Sequence, residues 1–198
     1  MTWRVVAIGP AAGCEQTLID VLERALAHSD TRQVIYLGQD GAATAAVEKL
    51  RGGLSAEHFL TQAVEVALRG SATQVAALLA SDARGQRLSL VRCLPPAPAR
   101  AVEMLERWIL LSVFDKAILD EDDIANAHVI LYGKSDSSAL TRIGPRCFFS
   151  PGPLANGRIG VLSVSNQGDL ELHIEDLEGR ILQQDELPTG PPKLVVTP

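Results

Sequence analysis

The apolar positions of this chain follow two periods, one suited to helices and one to strands. Arg4–Ile8 is a short apolar run closed by Gly9-Pro10 and reads as a buried strand. Leu18, Ile19, Leu22, Ala25 and Leu26 then recur at helical spacing, which predicts a helix from about Glu15 to His28, ended by Ser29-Asp30. Val34–Leu37 is the second apolar run, closed by Gly38-Gln39-Asp40-Gly41. Strand, helix, strand is a βαβ unit and predicts a parallel pair.

The middle of the chain reads as helical. Ala42–Leu50 is Ala-rich and is broken by Arg51-Gly52-Gly53. A helix capped by Ser55 runs to about Leu68 with Phe59, Ala63, Val66 and Ala67 on one face, and Thr73–Ala80 is a shorter one. After a turn at Ala83–Gln86, Leu88–Val91 reads as the third strand. The pattern predicts the longest helix from Ala99 to about Ile118, with Met104, Leu105, Trp108, Leu111 and Val113 as core. Asp120-Glu121-Asp122-Asp123 places carboxylates at the start of a final short helix, where they are favoured. The last third changes to short strands: Val129–Tyr132, Cys147–Phe149, Ile159–Val164, Leu170–Ile174 and Ile181–Gln183. A hairpin turn is expected at Asn166-Gln167-Gly168-Asp169.

Composition narrows the class. A chain of 198 residues with 46% hydrophobic and 21% charged residues builds a proper core. One domain is expected over residues 1–187, followed by a Pro- and Gly-rich tail at 188–198. Aromatics make up only 4%, so aliphatic side chains must fill the interior. A net charge of −6, with no Lys/Arg cluster, argues against nucleic acid or an anionic membrane surface as partner. No apolar run approaches the roughly 18 residues of a membrane span. Cys14, Cys93 and Cys147 form no CxxC pair, a usage expected of a reducing cytosol and hence a cytoplasmic protein. His28, His58, His128 and His173 lack paired ligand spacing. Cys93 is expected to be a small buried hydrophobe.

Five strand-end segments carry the candidate chemistry. They are Gly9-Pro10-Ala11-Ala12-Gly13, Gly38-Gln39, Gly52-Gly53-Leu54-Ser55, Arg92-Cys93-Leu94-Pro95, and Gly133-Lys134-Ser135-Asp136 with the later Ser150-Pro151-Gly152-Pro153. In this order they resemble the calcineurin-like metallophosphoesterases. The corresponding family motifs are Asp-x-His-Gly, Gly-Asp, Gly-Asn-His-Asp, a His-Gly loop, and Gly-His-x-His followed by Asn-Pro-Gly-Ser. The resemblance covers nearly the whole chain. It implies an α/β fold, a four-layer α-β-β-α sandwich of two mixed sheets. It also implies a site where Asp, Asn and His hold two cations roughly 3.5–4 Å apart around an attacking hydroxide.

At the aligned positions this chain has Pro10 and Ala12, Gln39, Gly53 and Leu54, Arg92, Lys134 and Asp136. Only Asp136 keeps a good metal ligand, so the resemblance implies a degenerate member without a metal cofactor. Two readings of Arg92 and Lys134 stay open. They hold a phosphate or carboxylate where metals once sat, or they pair internally with Asp136 or Asp40 and plug the pocket. Gly9–Gly13 reads as a tight strand-to-helix connection rather than a phosphate cradle, since it lacks G-x-G-x-x-G and P-loop patterns.

For function, the expected class is a catalytically inactive scaffold or regulatory subunit with a protein partner or a second copy, because some proteins of that family are protein-binding subunits. The alternatives are a phosphoesterase with atypical metal binding through Asp40, Asp136 and Gln39, and a metal-independent nucleotide-binding module using Arg92 and Lys134.

Overall fold

The computed structural model describes residues 3–52 and 56–189, of which 56–58 by backbone alone. In chain order the strands are β1 (Arg4–Ile8), β2 (Thr31–Tyr36), β3 (Val91–Cys93), β4 (Ala101–Leu105), β5 (Trp108–Val113), β6 (Val129–Tyr132), β7 (Ala139–Ile143), β8 (Arg146–Ser150), β9 (Arg158–Val164), β10 (Leu170–Asp176) and β11 (Ile181–Leu187). The helices are α1 (Glu15–Ala27), α2 (Ala42–Arg51), α3 (Ala56–Arg69), α4 (Ala72–Leu88) and α5 (Glu121–Asn126). Among the described residues the strands form one sheet in the order β11-β10-β9-β1-β2-β3 and a second in the order β4-β5-β6-β8-β7. Both sheets are mixed. β1, β2 and β3 run parallel, as do β5, β6 and β8, while β9, β10 and β11 in the first sheet and β4 and β7 in the second pair antiparallel.

Alternation along each strand explains the layering. Val5, Ala7, Ile35 and Leu37 of the first sheet meet Leu110, Val129, Leu131 and Phe149 of the second in one inter-sheet core. The intervening residues Val6, Ile8, Val34 and Tyr36 turn outward under Leu18 and Leu22 of α1 and Ala43 and Ala46 of α2. Burying a Val, Leu or Ile side chain stabilises by about 1.5–3 kcal/mol, so this double burial is the main source of stability. On the far side, Leu111 and Ile130 lie beneath Ile124 and Ala127, and α5 alone forms the fourth layer there. The metallophosphoesterase-like sandwich expected from the sequence is therefore the fold observed.

One expectation fails outright. The stretch from Ala99 to Ile118 is not a helix but the hairpin β4–β5, turned by Glu106-Arg107 with Glu106 at φ 58°. Its misleading feature is β5, six residues that are buried on both faces. Such a strand reads as a continuous apolar run, which periodicity does not distinguish from a buried helix. Met104, assigned to the core, is 73% exposed on the edge strand.

Smaller corrections follow. α4 runs through the expected turn at Ala83–Gln86 to Leu88, started by a reciprocal cap between Ser71 and Gln74. This moves the third strand to Val91–Cys93. That strand is a three-residue edge, so Cys93 is exposed rather than buried. β7 is a strand in addition to those expected, and β11 continues to Leu187. Ser55, the His58 side chain, and the tail from residue 190 onward lie outside the described residues.

His128 sets the start of the second sheet's parallel core. Its Nδ1 accepts the Ile109 N–H at 3.0 Å, and its backbone bonds Ile109 and Cys147 at 2.9 Å each. Accepting at Nδ1 requires the neutral ring. Burial, and then the Arg146 charge, hold its pKa below the ordinary value. The unfolded chain therefore binds the proton more readily, and this part of the stability is present above about pH 6.5 and lost as pH falls.

Two tests follow from this architecture. Melting temperature is expected to drop between about pH 7.5 and 5.5, above the range where carboxylates titrate, with a flatter profile in His128→Asn. In denaturant unfolding, Gly133→Ala is expected to cost more than about 3 kcal/mol. A Cβ there would lie 1.9 Å from the Leu37 carbonyl oxygen. Gly85→Ala, where a Cβ meets nothing within 4 Å inside α4, is expected to stabilise by about 0.5–1 kcal/mol.

Candidate functional site

The carboxyl ends of the parallel strands of both sheets meet at one mouth. The Leu37 N–H bonds the Ile8 carbonyl at 2.8 Å, and Leu154 N–H bonds the Pro10 carbonyl at 2.9 Å. Gly9 at the end of β1 lies flat against Gly152 after β8, where a Cβ would fall 1.7 Å from the Gly152 oxygen. Lys134 N–H reaches the Phe114 carbonyl at 2.7 Å, joining the ends of β6 and β5. Gln39 Nε2 donates to the Pro95 carbonyl at 3.2 Å, and Asn156 Nδ2 to the Asp136 carbonyl at 3.1 Å. The topology thus places Pro10, Gln39, Arg92, Lys134 and Asp136 on strand ends that open to the same side, with Ala12 exposed in the β1–α1 connection.

Tyr36 fastens the first two strand ends together. Its hydroxyl accepts the Ala11 N–H at 2.8 Å and donates to Asp40, at 2.7 Å to Oδ1 and 2.9 Å to Oδ2. Gly38 makes room for the ring, since a Cβ there would sit 2.6 Å from it. Burial, and then the bond to Asp40, push the phenol pKa well above its ordinary value, so Tyr36 is a neutral donor. The Asp40 carboxylate is used by this phenol and by the Ala42 N–H at 3.1 Å, an ordinary turn arrangement ahead of α2.

Lys134 pairs with Asp115, Nζ to Oδ2 at 2.5 Å, and not with Asp136 or Asp40 as the internal-plug reading supposed. The Lys134 bond, and then the Ala117 N–H, hold the Asp115 carboxyl below the usual carboxylate range. Next to this pair Lys116 lies over the Tyr132 ring at 4.6 Å. Arg92 is exposed on the edge strand, and among the described residues its side chain forms no hydrogen bond or ion pair. Sequence reading missed Asp115, although an acid directly after the run Trp108–Phe114 is a strand-end signal; assigning that run to a helix hid it. It also missed Tyr36, whose position inside an apolar run marked it only as core. Gly53 and Leu54 lie outside the described residues.

Two divalent cations need several carboxylate or imidazole ligands converging on one point. The side chains carried by these strand ends are an imino acid, a methyl, an amide, a guanidinium, the Lys134–Asp115 ion pair and the Asp136 carboxylate. Among the described residues no group of three or more His, Cys, Asp or Glu is placed to hold a metal ion. The residues present do not fit the binuclear centre of the fold. Cys147, the buried thiol on β8 beside Val129 of β6, has its pKa pushed up to about 12 by burial and stays an inert part of the core.

No protein-family model and no curated protein matches the chain. Solved structures do. A predicted phosphoesterase from Streptococcus pneumoniae superposes with a TM-score of 0.58 at 10% identity, over 94% of this chain and 97% of that one. Vacuolar Protein Sorting 29 from Cryptosporidium parvum gives 0.52 at 12% identity, over 93% and 95%. An archaeal phosphodiesterase gives 0.51 at 8% identity, over 86% and 99%. The chain has the phosphoesterase fold of these proteins over nearly its full length, and at such identities the likeness concerns the fold alone.

Tyr36→Phe tests the fastening of the strand ends. It strands the Ala11 N–H and is expected to cost about 1–3 kcal/mol of stability. Asp40→Asn, which keeps an acceptor, is expected to cost less in the same denaturation measurement.

Proposed function

We propose that this protein is a catalytically inactive metallophosphoesterase-like scaffold that acts by binding another protein. The observation carrying this reading is the side-chain content of the mouth. In the alignment with the family motifs, Pro10, Ala12, Gln39, Arg92 and Lys134 fall at the metal-ligand positions, and Lys134 is held by Asp115. Neither a methyl, an imino acid nor a protonated ammonium or guanidinium offers a lone pair to a metal. Gly53 and Leu54, aligned with the Asn and His motif, extend the same loss in sequence. The fold neighbours include both a phosphodiesterase and a vacuolar sorting protein by name, so the fold itself fits either reading.

The alternative of a lone cation held by Asp40, Asp136 and Gln39 meets a specific obstacle. Asp40 already accepts the Tyr36 hydroxyl on both oxygens and the Ala42 N–H, which leaves Asp136 and the neutral Gln39 amide oxygen as the ligands on offer. The anion-site alternative loses one of its two cations to Asp115.

The deciding experiment is metal content per chain by elemental mass spectrometry, after incubation with manganese and zinc and desalting. Negligible metal is expected, together with no hydrolysis of bis-p-nitrophenyl phosphate. About two metals per chain, or metal-dependent turnover removed by Asp136→Ala, would overturn the reading.

A further inference from the structure

β4 is the outermost strand of the five-stranded sheet, and among the described residues no strand pairs with its outer edge. Its inner edge pairs with β5, with Leu105 opposite Trp108 across the two-residue turn. In such a hairpin the pair flanking the turn is hydrogen-bonded and bonded and non-bonded pairs then alternate. Leu105, Glu103 and Ala101 therefore direct their backbone groups toward β5, while Val102 and Met104 direct theirs away from the sheet. The same two residues expose their side chains, Val102 at 64% and Met104 at 73%. Their neighbours turn inward, Glu103 accepting from Gln33 Nε2 at 2.7 Å across the sandwich. An edge that offers two free N–H and C=O pairs beside two apolar side chains is a template for strand addition.

The surroundings decide what fits. Beside β4 the outer face of the sheet carries a groove of about 270 Å³ with an apolar floor of Val102, Ile109, Leu111 and Ala127 and an acidic rim at Asp120 and Asp122. Arg100 neutralises part of that rim, reaching Asp120 at 3.7 Å and Asp123 more closely. Glu121 and Asp122 keep exposed carboxylates, and among the described residues their side chains form no ion pair. A second copy of this chain would bring two surfaces of the same sign together, the net charge being −6 and Glu121 and Asp122 being unpaired among the described residues. Charge thus favours an occupant of opposite sign over self-association.

We propose that β4 and the adjoining groove bind an extended segment of another protein by strand addition, the segment alternating apolar and basic side chains. Its main chain pairs with Val102 and Met104, its apolar side chains enter the groove, and its Lys or Arg residues meet Glu121 and Asp122. This interface rests on the scaffold reading for its purpose but not on the state of the mouth, so metal content tests one and peptide binding the other.

The test is fluorescence anisotropy of the full chain with a labelled peptide of alternating Val and Lys, and with its Val–Glu counterpart. The Val–Lys peptide is expected to bind and the Val–Glu peptide not to. Raising salt from about 50 to about 500 mM is expected to weaken binding about ten-fold. Val102→Pro removes an outward N–H without touching the β4–β5 ladder, as proline is tolerated on such an edge. It is expected to weaken binding at least about ten-fold while the melting curve stays in place. Glu121→Lys with Asp122→Lys is expected to do the same. The proposal is overturned by no binding up to millimolar peptide, by equal binding of the Val–Glu peptide, by indifference to Val102→Pro, or by a wild-type dimer that Val102→Pro dissociates.

Discussion

Two sheets share their strand ends here because backbone meets backbone. Gly9 lies against Gly152 and Gly133 against the Leu37 carbonyl, at separations that admit no side chain. Close approach at these points brings β1, β2, β5, β6 and β8 to one mouth and sets the depth of the inter-sheet core behind it. The hydrogen bonds from Leu154 to Pro10 and from Lys134 to Phe114 follow from that approach. Tyr36 then locks the first two loops with one hydroxyl used twice. The frame that would position a reaction is built from main chain and glycine, so it persists whatever the side chains at the mouth become.

That separation of frame from chemistry accounts for the site. Substituting a ligand by Pro10, Ala12 or Gln39 leaves the strand ends where they are, whereas an added Cβ at Gly9 or Gly133 cannot be accommodated. Lys134 brings a charge into the mouth and meets a partner in Asp115. A half-exposed pair of this kind contributes little stability. The interaction surface lies instead on the far edge. β4 carries its apolar side chains outward there because α5 is too short to cover the whole outer face of the second sheet.

Much of this was legible in the chain. The βαβ start, the Gly-led strand ends in their order, the carboxylate-capped α5 and the terminal hairpin all depend on local periodicity and turn chemistry, which act within a few residues. The five strand-end motifs pointed to the sandwich before any coordinate did. The hairpin at Ala101–Val113 was hidden because a strand buried on both faces loses the alternation that would identify it. Cys93 was misjudged because burial depends on whether a strand is central or at the edge, which is a property of the sheet and not of the segment.

By itself, the sequence determined which strand ends carry glycine, which side chains stand beside those glycines, and that the net charge is −6, since these are properties of residues and their order. Only the tertiary structure decided that Asp115 and not Asp136 takes Lys134, that Tyr36 ties Ala11 to Asp40, and that β4 ends the second sheet with Val102 and Met104 facing out. The physical reason is separation along the chain. Asp115 and Lys134 are 19 residues apart and Ala11 and Tyr36 are 25 apart, so their meeting depends on how the two sheets pack and not on any local pattern.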